Sequence, residues 1–204
     1  MRHWLAEIDF SDVPMITPSS GDPPACLSDI SKVVCNWACD KCAGDDVVEC
    51  PDQNVWGLTF DGGPTEATPG LLTFLDEQKV KATFFLSGAN VVQYPEIIVA
   101  EVRWTEKAIL EATGLCVRYI RPPNGNVDNR VRSVLKKLGY TVVDWGGDTF
   151  DSDDSKTSEM SNDAVKARFQ KTIQLYASQT ANNIKGFISR EHDLTKENVE
   201  VAKA

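Results

Sequence analysis

From Val55 onward the chain alternates β-favouring apolar runs with helical stretches, and this alternation restricts the fold more than any other feature. The first run, residues 55–60, breaks into Asp61-Gly62-Gly63-Pro64, a glycine-rich turn that presents a carboxylate at a strand end. Thr68 and Pro69 then start a helix over 68–78, with Thr68 as its cap and the proline in the first turn. A second strand is predicted over 80–86. A helical pattern over 95–114 follows, with Ile98, Val102, Thr105, Ile109 and Ala112 on one face and Gly114 closing it. Residues 118–120 form a third strand that runs into Arg121-Pro122-Pro123-Asn124-Gly125. An amphipathic helix over 127–138, a strand over 140–145, a polar loop over 146–161 and a helix over 163–178 come next. A short strand over 186–189 leads to His192-Asp193, and a last helix starts near 195. Strands alternating with helices predict an α/β fold with a mostly parallel sheet. Functional groups of such folds collect at the carboxyl ends of the strands, which singles out Asp61, Arg121, Asp148 and His192.

Residues 1–54 read differently. Five of the six cysteines (Cys26, Cys35, Cys39, Cys42 and Cys50) crowd into this part, in a setting of proline, aspartate and glycine. That density predicts a disulfide-stapled extension in an oxidising compartment. The competing reading is a zinc knuckle on the C-x2-C pair Cys39 and Cys42, for which Cys35 and Cys50 are loosely placed. Cys116 lies far along the chain and reads as free. The opening residues carry acids early and lack an apolar core, so they do not form a signal peptide pattern, and the true start is read as lying upstream or as processed. A formal net charge of −9 argues against a nucleic-acid partner. No run approaches the roughly 20 apolar residues of a membrane helix. The acidic loop holding Asp148, Asp151, Asp153 and Asp154 fails the calcium-loop pattern and reads as a solvated loop.

Five stretches together resemble the polysaccharide deacetylase family (the NodB homology domain, carbohydrate esterase family four), fungal chitin deacetylases most of all. They are Trp56-Gly57-Leu58-Thr59-Phe60-Asp61 before Gly63-Pro64, Ala82-Thr83-Phe84-Phe85-Leu86-Ser87-Gly88, Glu101-Val102-Arg103-Trp104-Thr105-Glu106, Arg121-Pro122-Pro123 with Gly125, and Gly186-Phe187-Ile188-Ser189 before Glu191-His192-Asp193-Leu194. The resemblance implies an incomplete distorted (β/α) barrel over 55–204 and hydrolysis of the acetamides of N-acetylglucosamine polymers, chitin above all. It also implies a secreted or cell-wall location and a divalent metal, zinc or cobalt. By the same resemblance Asp61 is the catalytic base, His192 the acid that protonates the leaving amine, and Arg121 the residue that orients the base. Pro123 and Asn124 hold the backbone that binds the oxyanion, Trp145 is a pocket wall, and Asp151 tunes His192.

The family's metal donors are where this chain departs from the pattern. Glycine stands at position 62, where the family has its metal-binding aspartate, and His3 and His192 are the only histidines. A metal lowers the pKa of bound water to about 7, so losing the donors removes the means of activating water. The metal histidines belong to a segment missing near 99–101, where the apolar stripe continues in phase and predicts one fused helix. Arg190 replaces the leucine that lines the family's acetyl pocket. The expectation is a deacetylase-like chain of impaired activity without a confident cofactor of its own. The alternatives are a carbohydrate-binding pseudoenzyme and a shortened gene product without independent function.

Overall fold

The computed structural model describes residues 9–14, 34–63, 65–85, 95–148, 162–178 and 185–203. The chain divides into two compact units, one of residues 1–47 and 88–144, the other of residues 48–87 and 145–204.

The second unit carries a six-stranded sheet built around one strand, β8 (Gly186–His192). β1 (Glu49–Cys50) pairs with it antiparallel. β2 (Trp56–Gly57), β3 (Thr59–Asp61) and β7 (Gly147–Asp148) pair with it parallel, and β4 (Thr83–Phe85) lies parallel to β3. Six of the seven β8 residues are buried, as expected for a central strand of a mainly parallel sheet. Leu58 interrupts the predicted first strand. The predicted last strand runs three residues further, so His192 ends β8 rather than following it. The predicted loop after Trp145 contains β7, which forms because Gly147 and Asp148 find open ladder positions beside Ser189 and Arg190.

Phe60, Ala67, Leu71, Leu75 and Val199 form the core of this unit, with Leu58, Ala82, Phe84 and Ala202 packed against it. Phe60 stacks on Phe84 at 5.4 Å. The helix Thr68–Gln78 is not capped by Thr68. Ala67 is its cap residue, and the Thr68 hydroxyl serves another contact described below. Lys79 adopts a left-handed φ of 56° and Val80 N–H still bonds Leu75 O at 2.9 Å, so the second strand starts at Thr83 rather than at 80. Trp56 packs on Phe169 of the helix Asn162–Ala177 and on Phe187 of β8. The last helix, Lys196–Ala202, opens with a capping box between Thr195 and Asn198.

The first unit holds a two-stranded parallel sheet, β5 (Tyr119–Ile120) with β6 (Thr141–Val142). One uninterrupted helix, Pro95–Thr113, runs through the predicted join and packs on the helix Asn129–Lys137. Val102 is buried, Thr105 and Ile109 are half-buried, and Ala112 is exposed. The side chain of Ile98 lies outside the described residues. Asp128, whose carboxylate accepts from Val131 N–H at 2.9 Å, starts the second helix at Asn129. The predicted strand over 140–145 shortens because Tyr140 N–H still closes that helix on Leu135 O.

Cys35 and Cys42 form a disulfide, and Cys39 is disulfide-bonded as well, so the C-x2-C pair does not form a zinc knuckle. Among the described residues Cys50 and Cys116 are free thiols. No described helix is long and apolar enough to cross a membrane.

Candidate functional site

Asp61 and His192 are register partners at the carboxyl ends of adjacent parallel strands. Their backbones therefore lie on the order of 5 Å apart, and both side chains leave the same face of the sheet. Phe60 points the other way, into the core, which fixes Asp61 on the opposite face. His192 is buried and Asp61 half-buried. Neighbouring contacts set this register: the Thr59 hydroxyl donates to Ser189 O, and Trp56 Nε1 donates to Ser189 Oγ at 2.8 Å. An aspartate and a histidine so placed can act as base and acid on a group lying over the strand ends.

The turn after Asp61 is locked by Asp193, which the sequence places in the last motif without a role of its own. Asp193 is fully buried, and its carboxylate accepts from the Thr68 hydroxyl. Its backbone carbonyl accepts from Thr65 Oγ1. Its oxygens press on Gly63, where an added Cβ would lie 2.2 Å from Oδ2. Available signals were the position of Asp193 directly after His192 and a glycine directly before Pro64.

The described residues do not fit the family's metal. Gly62 lies at φ +92°, and a Cβ built there would be 2.7 Å from Leu194 Cδ2. The backbone is shaped for glycine, and leucine occupies the space a side chain would enter. His3 lies outside the described residues. Among the described residues no group of three or more His, Cys, Asp and Glu side chains is arranged to hold a metal ion. Gly62→Asp is expected to lower stability by about 1–3 kcal/mol in chemical denaturation, because it places a side chain in a sparsely allowed backbone region. A variant as stable as the parent would show that the turn accepts a carboxylate.

Other predicted site residues take definite places. Trp145 is buried and lies under Arg190, whose guanidinium carbon sits 4.1 Å from the ring centroid. Stacking on the indole face accommodates an arginine in a mainly apolar setting. In the first unit Arg121 is buried and donates through Nε to Val143 O at 3.0 Å and through Nη2 to Asp144 O at 3.1 Å. Pro123, Asn124 and Gly125 make a tight turn. Asn124 is exposed with φ 57°, a left-handed conformation that asparagine tolerates better than an aromatic residue does. Asn36 Nδ2 ties this turn to the cysteine-rich segment through Asn126 Oδ1 at 2.9 Å. Asp148 ends β7, and Asp151 lies outside the described residues.

These features define an α/β protein with an aspartate and a histidine on neighbouring parallel strand ends. A family model described as polysaccharide deacetylase matches residues 48–100 and 95–143. Chitin deacetylase 1 of Cryptococcus neoformans var. grubii is 33% identical over an alignment of 237 residues, covering 99% of this chain and 50% of that protein. The chitin deacetylase of the fungal pathogen Colletotrichum lindemuthianum has a similar fold, with a TM-score of 0.59 at 24% identity over 77% of this chain and 81% of that one. A CE4 family pseudoenzyme from Bacillus anthracis gives 0.63 at 19% identity over 80% and 63%. The chain belongs to the polysaccharide deacetylase family and has its α/β fold in incomplete form. It spans about half the length of the curated relatives it matches.

Proposed function

We propose that this chain is a chitin-deacetylase-like protein that keeps the family's base and acid, Asp61 and His192, on a frame that has lost the metal donors. It engages N-acetylglucosamine polymers and hydrolyses their acetamides weakly or not at all. The observation that carries this reading is the register pairing of Asp61 with His192 beside a glycine at position 62. Asp61 is the group that would take a proton, and His192 the group that would give one to the leaving amine. Arg121 is assigned to orienting the base, Pro123 and Asn124 to the oxyanion turn, Trp145 to the pocket wall and Asp151 to tuning His192.

The domain reading is an extension over 1–54 and a deacetylase-like domain over 55–204, shortened near 99–101. Support comes from the family match, which falls into two pieces that overlap at 95–100. The aligned length of 237 residues exceeds the 204 of the whole chain, so the Cryptococcus relative holds residues that this chain lacks. These two observations also favour a second reading, a shortened gene product without independent function. Sequencing the transcript across codons 90–105 separates the two: an intact reading frame without further codons favours a stable variant protein. The disulfide and the fungal relatives fit an extracellular or cell-wall location.

A zinc titration, an acetate-release assay and a binding assay with chitin oligomers test the function. The expected result is saturable oligomer binding, no stoichiometric zinc and acetate release at background. Stoichiometric metal with turnover abolished in His192→Ala would overturn it.

A further inference from the structure

The first unit holds two buried carboxyl groups that the proposed chemistry does not use. Asp144, just after β6, is fully buried, and the Asp46 side chain is 3% exposed. A short bridge brings them together: Val47 N–H donates to Val142 O at 2.9 Å, Asp144 N–H donates to Val47 O at 3.0 Å, and Val47 pairs parallel with Val143.

Positive charge reaches the two carboxyls unequally. Arg132, from the helix Asn129–Lys137, grips Asp46 Oδ2 through Nε at 2.7 Å and Nη2 at 2.6 Å. The same guanidinium donates to Cys35 O and to Cys42 O, at the two ends of the disulfide. Arg121, from the end of β5, donates to the Val143 and Asp144 carbonyls. Among the described residues neither Asp144 oxygen receives a hydrogen bond, and the charged groups that act on it are the Asp46 carboxyl and, with opposite sign, the Arg132 and Arg121 guanidinium groups. Two carboxylates offer each other no donor. With one proton between them they form an O–H···O bond, and the remaining single charge matches the Arg132 grip.

We propose that Asp46 and Asp144 share one proton and, with Arg132, form an acid-closed clasp that fastens the segment 35–47 onto the end of β6. The clasp concerns how that segment is held, and it stands whether or not the chain turns over substrate. Burial and the Asp46 charge push the Asp144 carboxyl up to about 7, against the pull of Arg132 and Arg121. Opening exposes both carboxyls to water, where they ionise in the ordinary range, so opening releases one proton. The opening equilibrium therefore rises about tenfold per pH unit from the ordinary carboxylate range to about 7, then levels off once the closed pair has also ionised.

Hydrogen exchange of the 35–48 amides, measured on the full oxidised chain and corrected for intrinsic rates, tests this. Between pH 5 and 7 local opening is expected to rise on the order of a hundredfold, with little change from pH 7 to 8. Asp144→Asn, which keeps the shape and removes the titration, is expected to flatten that rise. Infrared spectra of the parent protein supply a reading that needs no variant: a protonated carboxyl band present at pH 6 and gone well above 7. A pH-independent opening, an unchanged slope in Asp144→Asn, or no such band at pH 6 would each overturn the clasp.

Discussion

Arg132→Ala is expected to cost about 3–5 kcal/mol of stability at neutral pH, the range found when one member of a buried ion pair is removed. The variant strands Asp46 and Asp144 in a site where neither is solvated. It also leaves the Cys35 and Cys42 carbonyls without their guanidinium donor. The loss should be smaller at pH 5 than at pH 8, because the carboxyl pair still holds a proton at the lower pH and less charge is stranded. Arg132→Lys recovers only part of the stability, since an ammonium group does not span a carboxylate and two carbonyls as the planar fork does. Urea denaturation of the oxidised protein at both pH values checks this. A loss below about 1 kcal/mol would place the pair in the class of weak surface ion pairs.

Gly63→Ala is expected to be strongly disruptive in the second unit. The new Cβ would meet both oxygens of Asp193, at 2.2 Å and 2.4 Å, and a fully buried carboxylate held by Thr68 has nowhere to retreat. Overpacking costs about 1–3 kcal/mol in ordinary cores, and a contact with a fully buried, hydrogen-bonded side chain belongs near the top of that range. Asp193→Ala alone also destabilises, because the Thr68 hydroxyl loses its carboxylate partner. In the Asp193→Ala background, however, the added methyl at 63 has room, so the two changes together cost less than their sum. A double-mutant cycle by chemical denaturation reads the coupling. Simple additivity would mean that Asp193 does not hold the Gly63 turn.

Much of this fold was legible in the sequence because each element carries its own local instructions. The proline near the start of the helix Thr68–Gln78, the stripe of the helix Pro95–Thr113 and the β-branched and aromatic runs at Thr59–Asp61 and Gly186–His192 are local signals. Element ends were less legible because distant partners set them. Thr68 has a capping residue's chemistry, but its hydroxyl goes to Asp193, far along the chain. β7 is polar and short, and it is a strand only because β8 offers a free edge. Asp144 looked like any residue near a strand end until the fold buried it against Asp46.

The sequence by itself determined the α/β alternation, the motif order that marks the family, and the absence of side-chain donors at position 62 and of a second motif histidine. These are properties of residue type and spacing, and no fold changes them. Only the tertiary structure decided that Asp61 and His192 share a register, that Leu194 fills the space above Gly62, and that Cys35 pairs with Cys42. Only it brought Asp46, held by Arg132, beside Asp144. Each of those depends on which distant backbones meet, and burial and hydrogen bonding among distant segments choose among pairings that local preference leaves open.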